Sequence, residues 1–406
     1  MNNTIRLGLE SIRNLCEALG NPQDKLQFIH IAGTNGKGST GAFVASILKE
    51  AGLKVGHFSS PAVFSREEVI KVNNRAISGK EYDRLMGVVN EASEKLTVEG
   101  KQLPTAFEKE TALAFLHYVN QNCDIIVLEC GMGGATDATN IVKNTEVCIF
   151  TAISFDHMDY LGNSLEEIAS VKAGIIKPGA YVVTAIDNQK VLDVITDKAG
   201  ENDCEVNITK IRRYGRGALG LSGQIQNENA SVAEKAARLY LSVNKKTSGF
   251  STSKLDAIVK KGLHNAKLPG RFERICESPD IFIDGGHNPG AAKALMMNLS
   301  EKCKGKKLIG VVGMLVNKDH SGVMEQLAPA FDTLLTVSTM GERGYSAVEL
   351  AGDALGFNPK VSSIGGLSEA LDIAYMMAEK KDVIVVFGTF SILKEAKEWA
   401  GKKGIL

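Results

Sequence analysis

The sequence predicts two α/β domains, each a mainly parallel sheet covered by helices, and three observations carry that expectation. Short β-rich runs alternate with amphipathic helical stretches along most of the 406 residues, the pattern of strand–helix–strand crossovers. One core is too few for this length, since domains run to roughly 150 residues. Of the 41 glycines, set against only 9 prolines, ten fall at the ends of β-rich runs in GTNGKG, GMGG, DGG, VVG and VFG, where α/β sheets turn at their ligand-facing edge.

The elements follow in order. LQFIHIAG (26–33) is the first strand, and a helix runs from about Gly38 through LKEAG. VGHFSS is a strand, EEVIKVNNRAIS a hairpin turning at Asn73-Asn74, and EYDRLMGVVNEASEKL returns to helical spacing. FEKETALAFLHYVNQN (107–122) is a helix feeding the strand CDIIVLEC, and EVCIFTAIS is the next strand. SLEEIASVKAGIIKPG opens with a capping box, Ser164 to Glu167, and stops at Pro178-Gly179. After helical stretches near 227–243 and 253–263, HNAKLPGRFERI places Pro and Gly between two alternating regions and marks the domain joint. The alternation then restarts with the strands IFIDGG, KLIGVVG, TLLTVS and DVIVVFG, each followed by a helix, the last carrying Trp399. The expected partition is 1–265, a linker at 266–270, and 271–406.

Composition excludes some functions. The 47 Lys+Arg balance 47 Asp+Glu to a formal net charge of zero, which argues against a protein that coats nucleic acid or an anionic membrane, since both need a basic surplus. No apolar run approaches the roughly 18 residues of a membrane helix, and MNNTIRLGLE lacks the apolar core of a leader. Seven cysteines occur without a CxxC pair, so buried free thiols of a reducing cytoplasm are expected rather than a zinc or redox motif.

The chemistry concentrates in IHIAGTNGKGST (29–40), an apolar strand, a Gly-rich turn holding Lys37, and hydroxyls opening a helix. Glycines let backbone N–H groups curl around phosphate oxygens, the helix N-terminus adds positive potential, and the lysine reaches the β/γ-phosphates. The expected nucleotide contacts are Asn35, Gly36, Lys37, Gly38, Ser39 and Thr40. The motif departs from GxxxxGK[ST], because Gly33 lies only three residues before Gly36 and Gly38 separates Lys37 from Ser39.

GTNGKGS resembles the nucleotide loop of the Mur ligase superfamily, specifically its folylpolyglutamate synthase / dihydrofolate synthase branch. SSP (59–61), FEKETALAF, VLECGMGGATDATN, the block ISFDHMDYLGNSLEEIASVKAGIIKPG, LPGRFE and DGGHNP match that family's motifs in the same order, from about 28 to 320. The resemblance implies a P-loop-type, mainly parallel sheet domain that binds ATP, followed by a smaller Rossmann-like α/β domain for glutamate ligation. It also implies Ser60, Glu129 and His157 as magnesium ligands, with two Mg²⁺ sites and a carbamylated Lys172. Asn229, Arg271 and Asp284 are the implied nucleotide contacts, and Lys37, Lys172 and His287 the implied catalytic groups, with His287 facing the acyl group or the incoming amine.

Each residue also has a plainer reading. Glu129 ends an apolar strand, where a carboxylate can hold Mg²⁺ against phosphates, yet alone it reads as a solvated strand-end acid. His157 alone reads as a packed histidine, and imidazole is an uncommon ligand for so hard a cation. Lys172 alone reads as one more solvated helical lysine; carbamylation requires a depressed pKa and so partial desolvation. Asp137 and Asn140 read as braces of a turn, and Asp284 and His287 equally as helix caps. VNKDH (316–320) has the wrong spacing for a guanine-selective NKxD, and GMGG lacks the GxGxxG spacing of a dinucleotide site.

The chain departs from the family pattern at Ala62, in SREEVIKVN, at Ile225 and in GERGYSAVEL; the first two fall near the folate side. The expected activity is ATP-dependent addition of L-glutamate to the γ-carboxylate of a reduced folate, with dihydropteroate as a second acceptor left open. The expected enzyme is a cytoplasmic monomer with no nucleic-acid or membrane partner. A Mur-type ligase on another carboxylate and a P-loop ATPase that switches a protein partner are the rivals. About 25 residues precede the first strong strand, which is short for a sugar-nucleotide domain.

Overall fold

Five residues in a row, Phe28–Ala32, are fully buried (β1), and this strand stands inside the first sheet between two parallel neighbours. A computed structural model describes residues 8–406; MNNTIRL, and with it the start of the 1–265 segment, lies outside the described residues. The sheet also contains β2 (Val55–Phe58), β3 (Ile70–Val72), β4 (Arg75–Ala76), β5 (Ile125–Glu129), β6 (Thr145–Phe150), β7 (Tyr181–Thr184) and β8 (Val206–Ile208), in the order β4-β3-β2-β5-β1-β6-β7-β8. Pairing is parallel from β2 through β8, and the β2–β3 and β3–β4 pairs are antiparallel. Continuous apolar strands suit a parallel sheet because helices cover both of its faces. Phe28, Phe58, Phe115, Tyr118 and Leu128 share one core cluster, and Phe150, Ile175, Val182 and Ile195 another.

The hairpin turns where expected. Asn73 and Asn74 have φ of 50° and 65° between the register pairs Val72↔Arg75 and Lys71↔Ala76. Positive φ at both loop residues is the type I′ turn that matches strand twist, and asparagine tolerates it. Asn74→Val is expected to cost about 1–3 kcal/mol, read as a lower denaturant midpoint, while Asn74→Gly leaves the midpoint near wild type.

Two details differ from the sequence reading. The Ser164 hydroxyl accepts from the Glu167 amide at 3.2 Å, but the Glu167 carboxylate takes the Asn163 amide at 2.6 Å, so the box closes one residue upstream. The helix Leu165–Ala173 ends at Gly174 rather than at Pro178-Gly179, because Ile175 and Ile176 leave it to enter the core.

The second sheet contains β9 (Glu273–Glu277), β10 (Asp280–Asp284), β11 (Leu308–Val312), β12 (Thr333–Val337), β13 (Val361–Gly365) and β14 (Val383–Phe387), in the order β13-β12-β11-β14-β10-β9. Only the β9–β10 pair is antiparallel among the described residues. The sequence reading passed over β7, β8, β9 and β13; β8 and β13 are short or largely exposed and lack a clear two-residue alternation. Among the described residues, 8–220 with Gln226–Lys267 form one compact unit, and Leu221–Ile225 with Leu268–Leu406 the other. Residues 221–225 therefore depart from the expected partition. The Gln224 amide donates to Asn298 Oδ1 at 2.9 Å, which ties that segment to the second unit. Among the described residues no helix is long and apolar enough to cross a membrane. The seven cysteines are free thiols, with Cys123 and Cys204 partly exposed and the other five buried.

Candidate active site

The C-terminal ends of β5, β1 and β6 lie side by side and carry Glu129, the Gly33 turn and the segment 151–157. The turn is built by close packing. A Cβ on Gly33 would collide with Thr151 Oγ1, and one on Gly36, whose φ is +89°, with Asn229 Oδ1. Thr34 and Asn35 direct their amides to the Ala152 carbonyl at 2.8 and 3.3 Å, and Thr34 Oγ1 donates to the Ser154 carbonyl at 2.9 Å. Gly36 caps the helix Lys37–Glu50, so the amides of Lys37, Gly38 and Ser39 have no acceptor inside that helix. Unpaired first-turn amides of this kind are suited to an anion. Ser39 and Thr40 are buried beneath it.

Two lysines converge on one carbonyl. Lys37 Nζ donates to the oxygens of Gly33 at 3.1 Å and Thr34 at 3.2 Å, and Lys172 Nζ donates to the same Gly33 oxygen at 2.9 Å. Lys172 is 3% exposed, which overturns the reading of a solvated helical lysine. Burial pulls its ammonium down to about 7, with Lys37 acting the same way and Cys130, Asp156 and Asp137 opposing. A neutral amine is therefore accessible near neutral pH.

Glu129 is 4% exposed at the end of β5. Ser60 follows β2, beside β5 in the sheet. His157 follows β6 with φ 51°; its amide donates to Asp156 Oδ1 at 3.0 Å, and its Nε2 lies 3.8 Å from the same oxygen with the side chain 31% exposed. All three positions share the edge that holds the Gly33 turn. Among the described residues no group of three or more His, Cys, Asp or Glu could hold a metal. The donors present are one carboxylate, one hydroxyl and one imidazole beside the Gly33 turn; the two oxygen donors fit Mg²⁺, an ion that takes one or two carboxylates and completes its shell with phosphate and water.

Asn229 lies beneath the turn. Its Oδ1 accepts from Thr40 Oγ1 at 3.4 Å and its Nδ2 donates to Gln226 at 3.0 Å, so it braces Gly36 from below. Asp137 and Asn140 are braces as expected. Asp137 accepts from the Met132 and Thr139 amides at 2.8 and 3.0 Å and from Thr139 Oγ1 at 2.6 Å, while Asn140 Nδ2 donates to the carbonyls of Ala135 and Gly174.

That network continues into His30, which sequence reasoning missed. His30 Nε2 lies 2.9 Å from Thr139 Oγ1 and 3.1 Å from Cys130 Sγ. The Thr139 hydroxyl proton goes to Asp137, so the His30 ring donates from Nε2, and burial lowers its pKa to about 3, which keeps it neutral. The chain His30–Thr139–Asp137 anchors the turn that follows Glu129. Thr139→Val breaks it at the centre and is expected to destabilise by about 1–3 kcal/mol in chemical denaturation, with Thr139→Ser restoring most of the loss.

The second unit carries its own cluster. Asp284, at the end of β10, accepts from the Phe272 and Gly286 amides, each at 2.8 Å. Burial raises its pKa against the pull of Arg271, whose guanidinium sits 4.5 Å from the centre of the Phe390 ring. His287 Nδ1 is 2.9 Å from the Gly285 carbonyl, and its ring meets Phe390 edge-on. Neither Asp284 nor His287 caps the helix Pro289–Lys302; Asn288 does, accepting from the Ala291 amide at 2.9 Å. Asp319 of VNKDH is likewise an N-cap, accepting from Gly322.

Residues 31–211 match the Mur ligase middle domain and residues 270–390 the Mur ligase glutamate ligase domain. The fold, the nucleotide-type turn and these two matches in order define a ligase of the Mur class. The chain belongs to the folylpolyglutamate synthase / dihydrofolate synthase family. The dihydrofolate synthase/folylpolyglutamate synthase of Escherichia coli is 30% identical over 410 residues, covering 97% of this chain and 92% of that one. The Mycobacterium tuberculosis folylpolyglutamate synthase, solved with ADP and AMPPCP, aligns with a TM-score of 0.87 at 28% identity, covering 98% and 96%. The bifunctional enzyme of Yersinia pestis, solved with AMPPNP and a Mn ion, aligns with a TM-score of 0.82 at 28% identity, covering 98% and 94%.

Proposed function

We propose that the protein is an ATP- and Mg²⁺-dependent ligase that joins L-glutamate to the γ-carboxylate of a reduced folate. The γ-phosphoryl group passes to the carboxylate, giving an acyl phosphate and ADP, and the glutamate amine then displaces phosphate to form the amide. The observation that carries this reading is the convergence of Lys37 and Lys172 on the Gly33 carbonyl. A buried second lysine beside the turn is what a generic phosphate loop does not need.

In this reading the first-turn amides and Lys37 hold the phosphates and offset charge on the transferring group. Ser60, Glu129 and His157 would hold Mg²⁺, which when bound supplies Lewis-acid stabilisation of the phosphoryl oxygens. Lys172 in its carbamylated form is an anion suited to a second metal site. Asn35 to Thr40 contact the nucleotide, with Asn229 bracing the turn. For the second unit we assign Arg271 and Asp284 to the nucleotide and His287 to the incoming amine. Glu68, which accepts from the Val63 and Phe64 amides at 3.3 and 3.2 Å, shapes the segment after Ser60 on the acceptor side.

The test is ADP release with and without tetrahydrofolate and glutamate, with mass detection of the product. A folate heavier by one glutamyl unit is expected; acceptor-independent hydrolysis without it would overturn the reading. Dihydropteroate run in parallel decides the second activity.

A further inference from the structure

The strands β10 and β14 end in register, with Asp284 opposite Phe387, so the turns that follow them start side by side. The turn after β14 is tight: Gly388 has φ +113°, and a Cβ there would meet the Gly313 carbonyl oxygen. Phe390 then opens the helix Phe390–Lys402 and is buried. Its ring lies flush against the turn after β10, where a Cβ on Gly285 would collide with the ring atoms.

Two site residues meet that ring. The Arg271 guanidinium lies 4.5 Å from its centre, and the His287 ring stands at 71° to it with the centres 6.1 Å apart. Arg271 is delivered there by a fixed backbone. On one side, Gly270 donates its amide to Glu273 at 2.8 Å and accepts from the Gly285 amide at 3.0 Å. On the other, Phe272 is held at φ 44°, an uncommon conformation for a bulky residue. Its amide donates to Asp284 at 2.8 Å, and its ring stacks on Phe282 with the centres 4.4 Å apart. Backbone strain of this kind persists where the surroundings over-determine it, and it clusters at ligand clamps. What the backbone leaves free is the long Arg271 side chain, and an aromatic face sets the plane of a guanidinium.

We propose that Phe390 is a positioning residue for the ligation, its ring holding the Arg271 guanidinium and the His287 imidazole in one fixed relation. The inference rests on the roles assigned above to those two residues, Arg271 to the nucleotide and His287 to the incoming amine. Phe390 acts through them. Its loss therefore disturbs ATP and glutamate together, while the folate acceptor has no assigned contact in this cluster.

Steady-state kinetics of the full chain compare wild type with Phe390→Leu, which keeps an apolar side chain and removes the aromatic face. KM for ATP and KM for glutamate are each expected to rise about tenfold, with KM for tetrahydrofolate within about twofold of wild type. Affinity for AMPPNP with Mg²⁺, read by calorimetry, is expected to fall with the KM for ATP. A merely structural role would lower the active fraction, and so kcat, and leave all three KM values in place. In an Arg271→Ala background the same leucine substitution is expected to change KM for ATP by less than about twofold, because residues that act as one unit are not additive. Gly285→Ala, which keeps Phe390 but displaces its ring, is expected to reproduce the Phe390→Leu pattern, so the result does not hang on one variant folding. Unchanged KM for ATP and glutamate in both variants, or a full further rise in the Arg271→Ala background, overturns the inference while wild-type turnover leaves the ligase reading standing. A wild-type chain that forms no heavier folate overturns that reading and the inference with it.

Discussion

Replacing Lys37 with methionine is expected to lower kcat/KM for folate-dependent ADP release by on the order of 10³ while the protein stays folded. Methionine keeps the unbranched stem and removes the ammonium that donates to Gly33 and Thr34. Two partly buried hydrogen bonds are lost, each a net effect of about 1 kcal/mol, which a 406-residue protein withstands. Catalysis suffers far more, because charge gathers on the phosphoryl oxygens as the group transfers and Lys37 is the cation placed beside the first-turn amides. Steady-state ADP release and a thermal melt of the same sample separate the two effects. A variant that keeps more than about a tenth of wild-type kcat/KM would remove Lys37 from this role.

Lys172→Met is expected to abolish most turnover, by about 10² or more, and to change how stability depends on pH. The folded-state pKa of Lys172 is near 7 against 10.5 unfolded. Between those values the unfolded chain binds the proton and the native protein does not, so wild-type stability rises with pH across that window. Relative to Lys172→Met, the wild-type folding constant should fall roughly tenfold for each unit as pH drops from 10 toward 7, then level off below 7. Paired melts in carbonate-free buffer measure it, and a flat difference would contradict the desolvation. Native mass measurement in bicarbonate is expected to show one added CO₂ on the wild type and none on Lys172→Met.

The parts of the site that were legible are those whose chemistry sits in adjacent residues. The turn from Gly33 to Thr40 could be read because a strand, close-packed glycines, a lysine and a helix start follow one another within a dozen positions. The Asn73-Asn74 hairpin was legible for the same reason, since two asparagines between alternating runs set their own backbone geometry. Ser60, Glu129 and His157 needed a family resemblance, because each is ordinary in its local sequence and only shares an edge through the order β2-β5-β1-β6. His30 gave no local signal at all: it looks like one more residue of a buried strand, and its partner Thr139 is 109 positions away.

The sequence by itself determined the α/β class and the strand–turn–helix succession at Gly33–Thr40, because strand and helix periodicity and turn chemistry act over a few residues. Only the tertiary structure decided that Lys172 is buried, that it shares the Gly33 carbonyl with Lys37 across 139 positions, and that Asn288 rather than Asp284 or His287 caps its helix. Burial and long-range hydrogen bonds are properties of packing, and packing sets whether a lysine is a solvated cation or an amine that can lose its proton.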